Sequence, residues 1–127
     1  MIIAIKTDRS PTEIYALNSD GEILNQKIWN AERQLARDLL SEIEKLINQN
    51  FKELSGIIVF RGPGSFTGLR IGITIANTIA YSEQIPIVGA GGENWITDGI
   101  AQLSFGENEK TVLPEYGASA NITKPRK

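Results

Sequence analysis

The period of apolar and polar residues changes several times along this chain, and each change marks an element. Ile2 to Lys6 is a continuous apolar run that predicts a buried strand. Thr7 to Thr12 carries the turn residues Asp8, Ser10 and Pro11. Glu13 to Leu17 alternates polar and apolar, as a half-buried strand does. Asn18-Ser19-Asp20-Gly21 predicts a hairpin turn, because Asp-Gly readily adopts the positive φ of tight hairpins. Glu22 to Trp29 then completes an antiparallel meander. From Asn30, a good helix N-cap, the period lengthens. Leu35, Leu39, Ile43, Leu46 and Ile47 share one helical face with charged residues opposite, so an amphipathic helix is expected to about Gln49.

Gly56 to Phe60 is rich in β-branched residues and predicts a fourth strand. A glycine loop, Arg61 to Gly68, leads into a helix expected from Ser65 or Phe66 to Tyr81. Ile85 to Ala90 reads as a fifth strand, and Trp95 to Leu103 as a short last helix. From Ser104 the chain turns polar, with Leu113 to Tyr116 a candidate docked segment and Asn121 to Lys127 a basic tail. The order β-β-β-α-β-α-β-α predicts an α/β fold: a mixed five-stranded sheet with helices on its faces. Ribonuclease-H-like domains, including each half of the actin-like and sugar-kinase ATPases, share that order. Residues 1–103 are expected to form this lobe, with 104–127 a docking segment and tail.

Composition narrows the chemistry. The 127 residues suit one domain. Cys and His are both 0, which removes thiolate zinc sites, thiol nucleophiles, imidazole bases and the Ser-His-Asp triad. Lys plus Arg is 13 against 15 for Asp plus Glu, a net charge of -2 that does not suit coating nucleic acid by bulk charge. No run approaches the roughly 18 apolar residues of a membrane span. Met1 to Lys6 has neither the charged leader nor the cleavage site of a signal peptide, so a cytoplasmic protein is expected.

Arg61-Gly62-Pro63-Gly64-Ser65-Phe66-Thr67-Gly68-Leu69-Arg70-Ile71-Gly72 is the most informative stretch. It combines a glycine turn with a helix start that Ser65 or Thr67 can cap. Free N–H groups at a helix start can hold an anion; equally, the loop can simply reverse the chain. No Lys follows Gly68, so it is not a P-loop. Ser65 lacks the flanking glycines of a nucleophile elbow and reads as a cap.

The run from Gly62 to Gly72 closely resembles the glycine signature of the TsaB (YeaZ) family, and Met1 to Thr7 and Ile85 to Gly89 are similar to it as well. That resemblance implies a ribonuclease-H-like, actin-type lobe that does not itself catalyse transfer. It implies a dimerisation subunit of the machinery that places threonylcarbamoyl on adenosine of tRNA. The partners implied are a TsaD-like catalytic subunit and a TsaE-like ATPase, with tRNA met through the complex and no membrane. No intrinsic cofactor is implied, and ATP only at a partner interface. The second lobe usual in the family is expected to be absent, because Lys110 to Tyr116 with Ile122 to Lys127 resembles the family's C-terminal tail.

Lys6 stands where the family usually has Asp, and a cation there cannot ligate a metal. Neighbouring first and fourth strands would end with Lys6 and Arg61 side by side. The resulting anion-binding candidates are Lys6, Arg61, Gly62, Gly64, Ser65 and Thr67; alternatively the cations pair with Asp8 or the tail. The helix after the loop has two apolar stripes, Leu69/Ile73/Ala76/Ala80 and Ile71/Ile75/Ile79, where a surface helix needs one. The surplus stripe is either core or interface. The interface candidates are Arg33, Arg37, Gly68, Arg70, Ile71, Gly72, Ile75 and Ile79, with Gly68 and Gly72 allowing a partner helix close. Alternatives are a homodimer through the same helices and a small actin-like nucleotide-binding phosphotransferase. Lys124, Arg126 and Lys127 serve as a solubilising end or touch tRNA phosphates.

Overall fold

The computed structural model describes residues 1–116, so the basic end from Asn121 to Lys127 lies outside the described residues. The meander consists of Ile2–Lys6 (β1), Thr12–Leu17 (β2) and Ile23–Trp29 (β3). It is followed by Leu35–Leu46 (α1), Gly56–Phe60 (β4), Phe66–Glu83 (α2), Ile87–Ala90 (β5) and Trp95–Ser104 (α3). The strands form one mixed sheet in the order β3-β2-β1-β4-β5. β1 is antiparallel to β2 and parallel to β4, as the element order predicts.

Strand alternation assigns the two faces. Ile3, Ile5 and Thr7 share a face with Ile57 and Val59, which Ile3↔Ile57 and Ile5↔Val59 pairing sets side by side. That face takes α1 through its buried Leu35, Leu39, Ile43 and Leu46, and α2 through Leu69, Ile73, Ala76 and Ala80. The opposite face takes α3: a Cβ on Gly99 would press on Ile58, and Phe60 meets Trp95 edge-on at 5.8 Å. Burying a residue such as Leu39 or Ile43 contributes about 2 kcal/mol.

Three boundaries differ from expectation for local reasons. Asn30 does not cap α1. A 3-10 turn at Glu32–Gln34 intervenes, with Glu32 at φ 51, and the α-helix begins only at Leu35. At its far end Asn48 and Gln49 adopt left-handed φ values of 54 and 60, which stops the helix at Leu46 rather than Gln49. α2 runs two residues past Tyr81, to a left-handed Gln84. The Ile85 N–H then bonds back to Ala80 O at 3.1 Å, so Ile85 closes the helix instead of opening β5.

After α3 the chain straps the open edge of β5. Glu109 N–H donates to Ile87 O at 2.8 Å, Asn108 Oδ1 accepts from Ile87 N at 3.1 Å, and Glu109 Oε2 accepts from Gly89 N at 2.8 Å. Side chains thus do what a sixth strand would do, and the edge is not left to pair with another chain. Asn77 of α2 brackets buried Val112: its Nδ2 donates to Val112 O at 3.1 Å and its Oδ1 accepts from Val112 N at 2.9 Å. Asn77→Ala leaves both backbone groups unpaired, at a cost of about 2 kcal/mol. Hydrogen exchange is expected to show faster exchange at Ile87 and Gly89, while the amides of β1 and β4 stay protected. Unchanged protection at both sites would refute this account of the strap.

Candidate functional site

The glycine loop packs against its own chain. A Cβ on Gly64 would strike Asp8 Cβ, one on Gly62 would strike the Glu115 carbonyl, and Gly62 has φ +126. Ser65 N–H donates to Asp8 O at 3.2 Å, and Ser65 Oγ caps α2 by accepting from Gly68 N at 3.4 Å. Ser65 is therefore the cap that the sequence suggests.

The expectation that Lys6 and Arg61 end side by side is corrected. Ile5 pairs with Val59, so Lys6 lies level with Phe60 and Arg61 with Thr7, and alternation sends the two cations to opposite faces. Lys6 Nζ bonds Asp8 Oδ1 at 2.7 Å and sits 4.6 Å from the Phe60 ring centre. The pair is largely sealed, with side-chain exposures of 12% and 8%. Arg61 pairs with Glu109 of the strap. Each cation is paired with its own carboxylate, so Lys6 and Arg61 do not converge on the Gly62, Gly64, Ser65 and Thr67 loop. Beside Lys6, on the α3 face, a cavity of about 470 Å³ opens between Phe60, Trp95, Glu13 and Glu93. Its wall includes Glu13, which accepts from the Tyr15 hydroxyl at 2.6 Å. Burial, then the Glu13 hydrogen bond and charge, push the phenol up to about 12, so it stays protonated at neutral pH. Among the described residues no three His, Cys, Asp or Glu side chains gather as a metal site, and no helix is long and apolar enough to cross a membrane.

Of the eight interface candidates, Arg70, Ile71 and Ile75 come together. Between α1 and α2 lies a groove of about 370 Å³, lined by Ala36, Phe66, Thr67, Arg70, Ile71, Thr74 and Ile75. Ile71 and Ile75 are half-buried there, and Leu40 one turn beyond Ala36 is exposed. Phe66 is 54% exposed, with the Tyr116 ring 4.6 Å away and the Arg70 guanidinium 5.3 Å from its centre. Three of the interface candidates belong elsewhere. Ile79 is sealed in the core. Gly68 and Gly72 face Thr7, whose Oγ1 donates to Gly68 O at 2.7 Å, so the small residues bring α2 onto β1 instead of admitting a foreign helix. Arg33, in the 3-10 turn, and Arg37, in the first turn of α1, are exposed. Arg37 is bound to Asp38 at 2.8 Å, which holds the Asp38 carboxyl below its usual range. Sequence reasoning missed Phe66 and Ala36: the first looked like an ordinary opening residue of α2, and the second lies off the apolar face of α1.

Residues 23–91 match the family model described as TsaD: tRNA N6-adenosine threonylcarbamoyltransferase. The chain is 35% identical over 89 residues to the tRNA threonylcarbamoyladenosine biosynthesis protein TsaB of Bacillus subtilis, covering 68% of this chain and 38% of that one. It is 33% identical over 91 residues to the TsaB of Escherichia coli, covering 69% and 38%. The chain belongs to the TsaB family. Among solved structures, YeaZ from Pseudomonas aeruginosa superposes with a TM-score of 0.61 at 26% identity, over 71% of this chain and 43% of that one. A crystal structure of an uncharacterized protein with similarity to peptidase YeaZ, from the same organism, gives 0.64 at 26% identity, over 71% and 42%. These matches make the fold actin-like and ribonuclease-H-like, as the element order suggested. This TsaB-family chain spans 38% of the length of the curated relatives it matches.

Proposed function

We propose that this TsaB-family chain serves the biosynthesis of threonylcarbamoyladenosine in tRNA as a non-catalytic dimerisation subunit. It pairs through α1 and α2 with a TsaD-like catalytic subunit in a cytoplasmic complex. A TsaE-like ATPase joins that pair, tRNA is met through the complex, and any ATP sits at the joint surface. The observation that carries this reading is the groove: two isoleucines and a phenylalanine stand half-open between two helices that have each already buried the face turned to the sheet. Apolar surface left in water is a driving force for association. Binding acts on the catalytic subunit by favouring one of its conformations, which requires tighter binding to that conformation than to the other.

The test is co-expression with the TsaD-like protein of the same organism, followed by sizing and a tRNA modification assay. Co-elution and modification that depends on this chain are expected. Separate elution with full modification in its absence would remove the proposal. The groove also suits a second copy of this chain, and sizing of the lone protein separates a homodimer from a monomer. The phosphotransferase reading gains nothing from the site, because Lys6 is already satisfied by Asp8.

A further inference from the structure

The groove is electrically lopsided. β3 and β4 run in the same direction, so the helices that return from them, α1 and α2, lie parallel with both N-termini at one end. The helix dipoles make that end positive. Two arginines reinforce it. Arg70 lines the groove itself, and Arg33 lines an adjoining cavity that shares Thr67 and Ile71 with it. The two guanidiniums therefore flank the same pair of side chains. Among the described residues neither has a carboxylate within 4.0 Å, whereas Arg37 is taken by Asp38. Asp8 and Glu32 also border the adjoining cavity, as does exposed Arg9. Asp8 is already neutralised by Lys6, so the balance at this end stays positive. At the other end the charges are mixed: Glu44 has no cationic partner among the described residues, but exposed Lys45 stands beside it.

We infer that the partner's helices run antiparallel to α1 and α2 and set a carboxylate near their C-terminal ends against Arg33 and Arg70. This rests on the dimerisation reading above and adds to it the orientation and charge of what docks. The apolar floor between Ile71 and Ile75 supplies affinity, and the arginines supply register. Exposed rim charges of this kind govern the association rate and its salt dependence more than the dissociation rate.

The experiment measures association with the co-expressed TsaD-like subunit at low and high salt, for the wild type, the Arg33→Glu/Arg70→Glu double variant and Ile75→Asp. The double variant is expected to associate about tenfold more slowly at low salt, with little change in dissociation. The wild-type rate is expected to fall towards that of the variant at high salt, where screening shortens to a few ångströms. Should the double variant prove unstable, Arg33→Gln/Arg70→Gln keeps the chain foldable and is expected to show a smaller loss in the same direction. Rates within twofold of wild type for either double variant, or a wild-type rate indifferent to salt, overturn the inference. If Ile75→Asp abolishes binding while the arginine variants bind normally, only the charge register fails. If the wild type does not bind at all, the dimerisation reading fails with it.

Discussion

Ile75→Asp is expected to abolish co-purification with the TsaD-like subunit while leaving this chain folded. Ile75 is half-buried in the free protein, so a carboxylate at that position can reach water and the core behind it is untouched. In the complex the same carboxylate would be covered with no cation opposite it, since Arg70 lies more than a turn away at the groove's end. Burying an uncompensated charge costs at least about 3 kcal/mol. That weakens binding by roughly a hundredfold or more. A melting temperature within a few degrees of wild type, together with loss of the complex on sizing, is the expected pair of results. Normal co-elution would show that α1 and α2 do not form the interface. Unfolding would show that Ile75 belongs to the core. Ile79→Asp is the contrasting control. Ile79 is 5% exposed, so that variant is expected to unfold rather than dissociate.

The contrast between Ile75 and Ile79 also marks how far the sequence could be read. Two apolar stripes on α2 revealed that one was surplus, but periodicity treats Ile71, Ile75 and Ile79 alike. Only the packing of neighbouring elements separates the two open positions from the sealed one. β1 and β4 were legible to the residue because a run such as Ile2 to Lys6 has no other use in a small domain. The ends of α1 were not, because they are set by the φ values of Glu32, Asn48 and Gln49, and of these only Asn48 is a residue type that favours a left-handed stop. The fate of Lys6 and Arg61 was legible in principle. Once β1 and β4 are neighbours, the Ile5↔Val59 register places Lys6 and Arg61 on opposite faces by strand parity alone. The strap at Asn108 to Val112 was not legible; the docked segment expected at Leu113 to Tyr116 begins just beyond it. The strap's anchors, Asn77 and Glu109, act across 35 and 20 residues of sequence, on Val112 and Gly89, and such pairings leave no periodic trace.

Gly68→Val is expected to be the most damaging single change for the groove and the fold together. α2 approaches β1 at this point so closely that a Cβ on Gly68 would overlap the Thr7 carbonyl oxygen. That oxygen belongs to the backbone at the end of β1, so no rotamer change relieves the contact. The Thr7 hydroxyl, bonded to Gly68 O at 2.7 Å, would be displaced as well. Overpacking of this kind costs about 3 kcal/mol. The gain from replacing a helical glycine recovers less than about 1 kcal/mol of it. For a chain of this size the net loss corresponds to a fall in melting temperature of roughly 8 °C. The helix must move outward at its N-terminal end, which carries Thr67, Arg70 and Ile71 with it. Binding of the TsaD-like subunit is therefore expected to weaken even below the melting transition, where the variant is still folded. Gly68→Ala is expected to show both effects at smaller size. A Gly68→Val protein that melts with the wild type would mean that α2 is not held against Thr7, and that the shape of the groove does not depend on this contact.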